Sequence, residues 1–358
     1  MSKSKPIATL DPAYFRKKHA MTLAIVAAAA LLAWASSVRT GFDPIETLLD
    51  LPGSFVWLAT HFVPTASSFE KLPKILGALW KTFLGAAAAA AVSGVMAYAL
   101  ALVGSRTVGF GGIVQFAIRG IATITRNIPN VAWAFILIFS FRQSEFTGFL
   151  VLFMKSFGFL LRSFMENVDE VPQGAIEALR AAGATRLQII AHAVVPLTIT
   201  QVVSWLLYMT ETNSRDATLV GMLTGTGIGF VFELYYRTFR YDTAGLVIIC
   251  IACMAIACEV VSNFVRRRVI KPGNTASRMK TGALGRIKTK AVSQADVLVA
   301  LTLVGLTALT VYGFWQMDYG DVELLDAARG AFNNFGVMVF HPGTDDYWTM
   351  EELLTDMG

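Results

Sequence analysis

The sequence predicts an all-α transmembrane protein of seven spans, and three observations predict it. Of 358 residues, 55% are hydrophobic and only 15% charged, with a mean hydropathy of +0.56, a composition suited to lipid and not to water. Several uncharged windows approach or exceed the roughly 20 apolar residues that a helix needs to cross the hydrocarbon core. Between those windows, cations collect in some connections and acids in others, the asymmetry that orients spans in a bilayer.

In chain order, residues 20–38, 82–105, 187–210 and 297–317 carry no Asp, Glu, Lys or Arg, and residues 243–258 reach bilayer length with their flanks. Residues 113–141 and 146–165 are strongly apolar but are interrupted by Arg119, Arg126, Lys155 and Arg162. Before the first span stand Lys3, Lys5, Arg16, Lys17 and Lys18, and residues 266–290 hold nine cations without one acid, so both segments are expected on the cytoplasmic side. Asp43, Glu46, Asp50 and Glu70 follow the first span, and nine acids face Arg329 after the last, so both of these are expected outside. Six spans between two inside segments close the parity.

An internal repeat offset by 278 residues sets Asp43 on Asp321, Phe62 on Phe340, Pro64 on Pro342, Phe69 on Tyr347, Leu72 on Met350, Ile75 on Leu353 and Leu76 on Leu354. Each copy follows an apolar span. The later span cannot be a cleaved leader, so the first is expected to be retained as an anchor although Lys17 and Lys18 before an apolar run resemble a signal peptide. The organisation expected is therefore a cytoplasmic N-terminus, anchor and external segment over residues 1–70, and a transmembrane core with one cytoplasmic loop over 71–268. A basic cytoplasmic linker follows over 269–295, then a seventh span and external segment over 296–358. That last segment reads as the start of a second copy that is incomplete here, as in a fragment or a split gene.

A formal charge of +5 is too small to imply nucleic acid binding. Cys250, Cys253 and Cys258 share one apolar run, which suits neither a disulfide scaffold nor a zinc module, and His19, His61, His192 and His341 have no ligand spacing. No metal, cofactor or catalytic constellation is expected. Gly221, Gly225, Gly227 and Gly229 match neither a Walker A loop nor a dinucleotide fingerprint. They fit a re-entrant or broken helix between a polar break at residues 211–216 and the next span.

The cytoplasmic loop over residues 166–186 is the most informative segment. It contains Glu177, Ala178, Leu179, Arg180, Ala181, Ala182 and Gly183, and Pro196 stands thirteen residues after Gly183. Good helix formers predict a short helix that Gly183 ends, with small residues that let another surface approach closely. This pattern resembles the EAA loop of permease subunits in bacterial ABC importers, with Leu179 departing from the motif's second alanine. Residues 126–134 (RNIPNVAWA) and 213–229, which include NSRDATLVG and GTGIG, narrow the resemblance to the phosphonate branch of that family.

The resemblance implies a type I importer permease core in the bacterial cytoplasmic (inner) membrane, which is not itself an enzyme and carries a phosphonate or related phosphorus oxyanion. The implied partners are cytoplasmic ATP-binding cassette subunits, an external or periplasmic substrate-binding protein, and a second permease core as a homodimer, paralogue or fused copy. The loop would couple to the ATPase through Glu177, Ala178, Ala181, Ala182 and Gly183, with Pro196 aiming the fifth span. Charge at membrane depth is costly and usually faces a cavity or a partner. Arg126, Asn127, Glu211, Asn213 and Arg215 are accordingly candidates to line the pathway, Arg126 and Arg215 toward its external half, while Lys155 is expected to pair internally. The rival reading, an ion-coupled secondary transporter of a small anion, requires membrane-embedded carboxylates, which the uncharged windows lack.

Overall fold

A computed structural model of the chain describes residues 12–269, 294–320 and 324–340. Among these residues the structure is all helix and short connection. Residues 270–293 of the expected 269–295 linker and the second copy's Asp321, Pro342, Tyr347, Met350, Leu353 and Leu354 lie outside them. Six helices are long and apolar enough to cross a membrane, and one bent pair supplies a seventh crossing if it counts as a single span.

Two compact units divide at His61 and Phe62. The first holds α1 (Pro12–Thr40) and α2 (Pro44–His61). Over residues 20–38 α1 is apolar all round, and from Phe15 to Thr40 no residue of it is buried, as in a helix built for lipid. Asp43 starts α2 by accepting the Ile45 and Glu46 amides at 2.8 and 3.2 Å, with Pro44 in the first helical position, where a missing N–H costs nothing.

The second unit contains α3 (Ala66–Phe69), α4 (Leu72–Gly104), α5 (Gly112–Asn127), α6 (Asn130–Phe141), α7 (Glu145–Asp169) and α8 (Gln173–Ala181). It continues with α9 (Arg186–Ile189), a π turn (Ile190–Val194), α10 (Val195–Thr224), α11 (Gly227–Arg237), α12 (Tyr241–Val269), α13 (Gln294–Gln316) and α14 (Leu324–Phe340). α4 is the hub. Its alanine run from Ala86 to Ala90 is wholly buried, because Ala presents so little bulk that α7, α10 and α13 can pack close around one axis. In lipid, where apolar surface gains nothing by leaving the solvent, such close approach replaces the hydrophobic effect as the source of stability. Ala86, Ala88 and Ala89 pack with Trp133, Leu137 and Leu152, and Ala90, Ala97 and Ala101 with Leu160, Leu161, Phe164 and Leu206. α14 lies on α6, where Phe335 stacks on Trp133 at 6.0 Å between ring centres.

Two span boundaries differ from expectation. The third span is not one helix, since α5 and α6 meet at 97°. Pro129 causes the break: its ring disfavours helical geometry in the preceding residue, and Ile128 is extended at φ −82° and ψ 123°. The fifth span runs on past Thr210 as one helix to Thr224, so the polar break expected at residues 211–216 does not occur. Those polar residues stay helical because side chains on α6, α7 and α12 satisfy them, as described below. The chain breaks instead at Gly225, whose left-handed φ of +68° ends α10 and returns its amide to the Gly221 carbonyl. α11 then packs back on α10 with Gly229 against Gly221, so close that a Cβ on Gly229 would lie 2.0 Å from the Thr218 carbonyl oxygen.

Candidate functional site

The loop after α7 forms a projecting knob. α8 is anchored by Ile176, fully buried, and Leu179, half-buried, which pack with Val108, Val168, Val171, Ile189 and Val194. Its other face is exposed and carries Glu177, Ala178 and Ala181, followed by Ala182 and Gly183. Gly183 has φ +80°, a conformation that costs other residues strain, and it donates to the Arg180 carbonyl at 2.9 Å to close the helix. Leu179, which departs from the loop's usual alanine, is thus an anchor of the knob and not part of its outer face. Thr185 caps the returning helix by accepting the Gln188 amide at 3.4 Å, and the π turn places Pro196 at the start of α10, where the helix tolerates it.

A layer of ionised side chains crosses the bundle near the middle of α7. Lys155 pairs with Asp216, and the same carboxylate oxygen accepts the Asn130 amide at 3.0 Å, tying α7, α10 and α6 together. Glu211, nearly buried, bridges Arg215 and Arg266 at 3.2 Å each. Arg215 therefore lies along a continuous helix, within reach of the ion pair from the last turn of α12. It does not sit in an external glycine-flanked break. Asn213 is fully buried and donates to the Ser156 hydroxyl at 2.8 Å, which makes it a tie between α10 and α7 and not a lining residue. Arg119 pairs with Asp169 at 2.9 Å at the α8 end of the bundle.

Arg126 and Asn127 end α5 and are exposed. The Arg126 guanidinium lies over the Phe159 ring at 5.9 Å, and the Asn127 amide donates to the Thr123 carbonyl at 2.7 Å. Where α5 breaks into α6, they border a cavity of about 310 Å³ with Asn130, Lys155, Phe159 and Met209. The structure thus brings Arg126 and Asn127 to one cavity and places Glu211 and Arg215 in a separate ion-paired group. Asn130 and Asp216 stood in the sequence only as part of the 126–134 motif and of the polar stretch 211–216; that they meet Lys155, which was expected to pair internally, is decided by the packing of α6, α7 and α10. Among the described residues no group of His, Cys, Asp and Glu could hold a metal.

Residues 93–271 match the model of the family described as binding-protein-dependent transport system inner membrane component. The chain is similar to the phosphite transport system permease protein PtxC of Stutzerimonas stutzeri, at 28% identity over 63% of this chain and 82% of that protein. It is also similar to the phosphate-import permease protein PhnE of Mycolicibacterium smegmatis, at 26% identity over 60% of this chain but only 42% of that protein's length. A chain of the MetNI methionine ABC transporter, solved in an inward-facing conformation, shares the fold at a TM-score of 0.50 and 19% identity, covering 58% of this chain and 100% of that one.

Proposed function

Because the chain belongs to the family of binding-protein-dependent transport system inner membrane components, we propose that it is the permease subunit of an ATP-driven importer for phosphite, phosphonate or a related phosphorus oxyanion. ATP hydrolysis then belongs to partner subunits, and an external binding protein delivers the substrate. Similarity to a phosphite and a phosphate permease supports the substrate class. The pathway runs beside a second permease core, with the N-terminus on the cytoplasmic side.

The observation that carries the ATP-driven reading is the α8 knob. A short helix held by two apolar anchors, with Glu177 and small residues facing out, offers a rigid and closely approachable surface. An ATP-binding subunit that closes on it displaces α8 and, through Val168 and Val194, the ends of α7 and α10. Coupling of two sites requires a rigid connection of this sort between elements with two arrangements. Gly183→Trp puts bulk and left-handed backbone strain of about 1–2 kcal/mol at the edge of that surface. ATP-dependent uptake is expected to fall at least tenfold while insertion stays normal; normal uptake with the ATP-binding subunit bound refutes the assignment.

The ion-coupled rival gains one point from the structure, since α10 carries Glu211 and Asp216 inside a span. Both are paired with cations in this structure, so neither presents a vacant acceptor to a coupling ion here. In proteoliposomes loaded with ATP, uptake should survive collapse of the ion gradients by ionophores; loss of uptake under that treatment favours the rival.

A further inference from the structure

We infer that the cavity at the α5–α6 break is a binding site for a tetrahedral oxyanion, built from Arg126, Asn127, Asn130 and Lys155, and that Asp216 occupies its inner donors whenever the anion is absent. The inference rests on the oxyanion reading above and adds the place where the anion pauses.

Two donors from different helices, the Lys155 ammonium and the Asn130 amide, converge on one oxygen of Asp216. A phosphoryl or phosphonyl oxygen is the same kind of acceptor as that carboxylate oxygen and takes the same charge-assisted hydrogen bonds. Both donors also line the cavity, so an anion there can reach them. At the outer side, Arg126 makes no ion pair among the described residues, and its guanidinium is held over Phe159 at 5.9 Å. Arg126 and Lys155 against Asp216 leave the group one positive charge in excess, which favours an entering anion. The cavity, about 310 Å³, has room for about ten water volumes, enough for a small oxyanion that keeps part of its hydration.

Asp216 makes such a site usable in a conduit. With the anion absent, its carboxylate keeps Lys155 and Asn130 satisfied. When the anion enters, the Asp216 side chain, at 32% accessibility, turns away from the two donors. Displacing an internal competitor lowers the apparent affinity by the fraction of time the donors are free. Weak holding is what passage demands, because a tightly held anion does not leave.

The test uses the permease assembled with its ATP-binding partner in lipid nanodiscs, without the binding protein, and measures binding of labelled inorganic phosphate and methylphosphonate. Asp216→Asn keeps the shape and removes the competing charge, so it should bind either probe about tenfold more tightly. Adding Lys155→Gln to that variant should abolish the gain. An assembled Asp216→Asn complex with unchanged affinity overturns the proposal. A second measurement leaves all four site residues in place: a cysteine in place of Ile128, which lines the cavity, with Cys250, Cys253 and Cys258 replaced by Ala, is treated with a charged thiol reagent. Millimolar phosphate should slow its labelling several-fold where matched chloride does not, and equal rates overturn the site. Absence of protection alongside normal ATP-driven phosphite uptake refutes the site alone. Protection in a protein whose cells take up no phosphorus oxyanion refutes the transport reading and leaves the site standing.

Discussion

At Gly158 a single hydrogen decides how α5 ends. A Cβ there would lie 2.6 Å from the Thr125 hydroxyl and 2.7 Å from the Arg126 amide nitrogen, so α7 and the last turn of α5 touch with no room to spare. That contact fixes the backbone from which Arg126 projects toward the cavity. Gly158→Ala must push α5 outward, because the clash is with backbone and not with a movable side-chain tip. Overpacking of this kind costs about 1–3 kcal/mol, so a lowered melting temperature in detergent is expected, together with slower uptake. Unchanged stability would mean that α5 moves freely and that Arg126 is not held. Arg126 itself was legible as a charge in an apolar run. Gly158 was not, since a glycine between two phenylalanines carries no sign of what faces it from another helix.

Among the elements, α8 and the α5–α6 break show how far local pattern reaches. The helix over residues 173–181 and its glycine stop follow from propensity and turn chemistry alone. Which side of that helix is buried follows from Ile176 and Leu179, three positions apart and therefore on one face. Ile176→Ala removes the fully buried anchor and should cost about 2–4 kcal/mol of local stability. Trypsin should then cut at Arg180 and Arg186 faster than in the unaltered protein, with the rest of the bundle still resistant. Equal cleavage rates would mean that α8 is held by something other than this cluster. The break in the third span, read as continuous over residues 113–141, has a local cause in Pro129, because the residue before a proline avoids helical geometry. The size of the bend has no such local cause, for it depends on α6 turning to lie against α7, α10 and α14.

For the whole molecule, orientation is a prediction from charge. A cysteine at Lys280 should stay shielded from an impermeant thiol reagent in intact cells, whereas one at Asp345 should label, in a background lacking Cys250, Cys253 and Cys258. The expectation comes from nine cations without an acid over residues 266–290 against nine acids and Arg329 over 318–356. Labelling at 280 and shielding at 345 would invert the topology and place α8 on the wrong side for an ATP-binding partner. The recurrence of a long apolar helix followed by one of 18 or 17 residues, in α1–α2 and again in α13–α14, accords with the internal repeat.

Composition and periodicity by themselves determined that this chain is a helical membrane protein and roughly where its spans lie, because lipid imposes length and hydrophobicity on every helix that crosses it. They also determined the α8 knob, whose residues are neighbours in sequence. Tertiary structure alone decided what the charges inside the spans do. Glu211 and Arg266 are 55 residues apart, Lys155 and Asp216 are 61 apart, and Asn130 reaches Asp216 across 86. No local rule pairs residues at such distances. Helix packing around α4 does, and by satisfying the polar groups of α10 it keeps that helix unbroken where the sequence suggested a break.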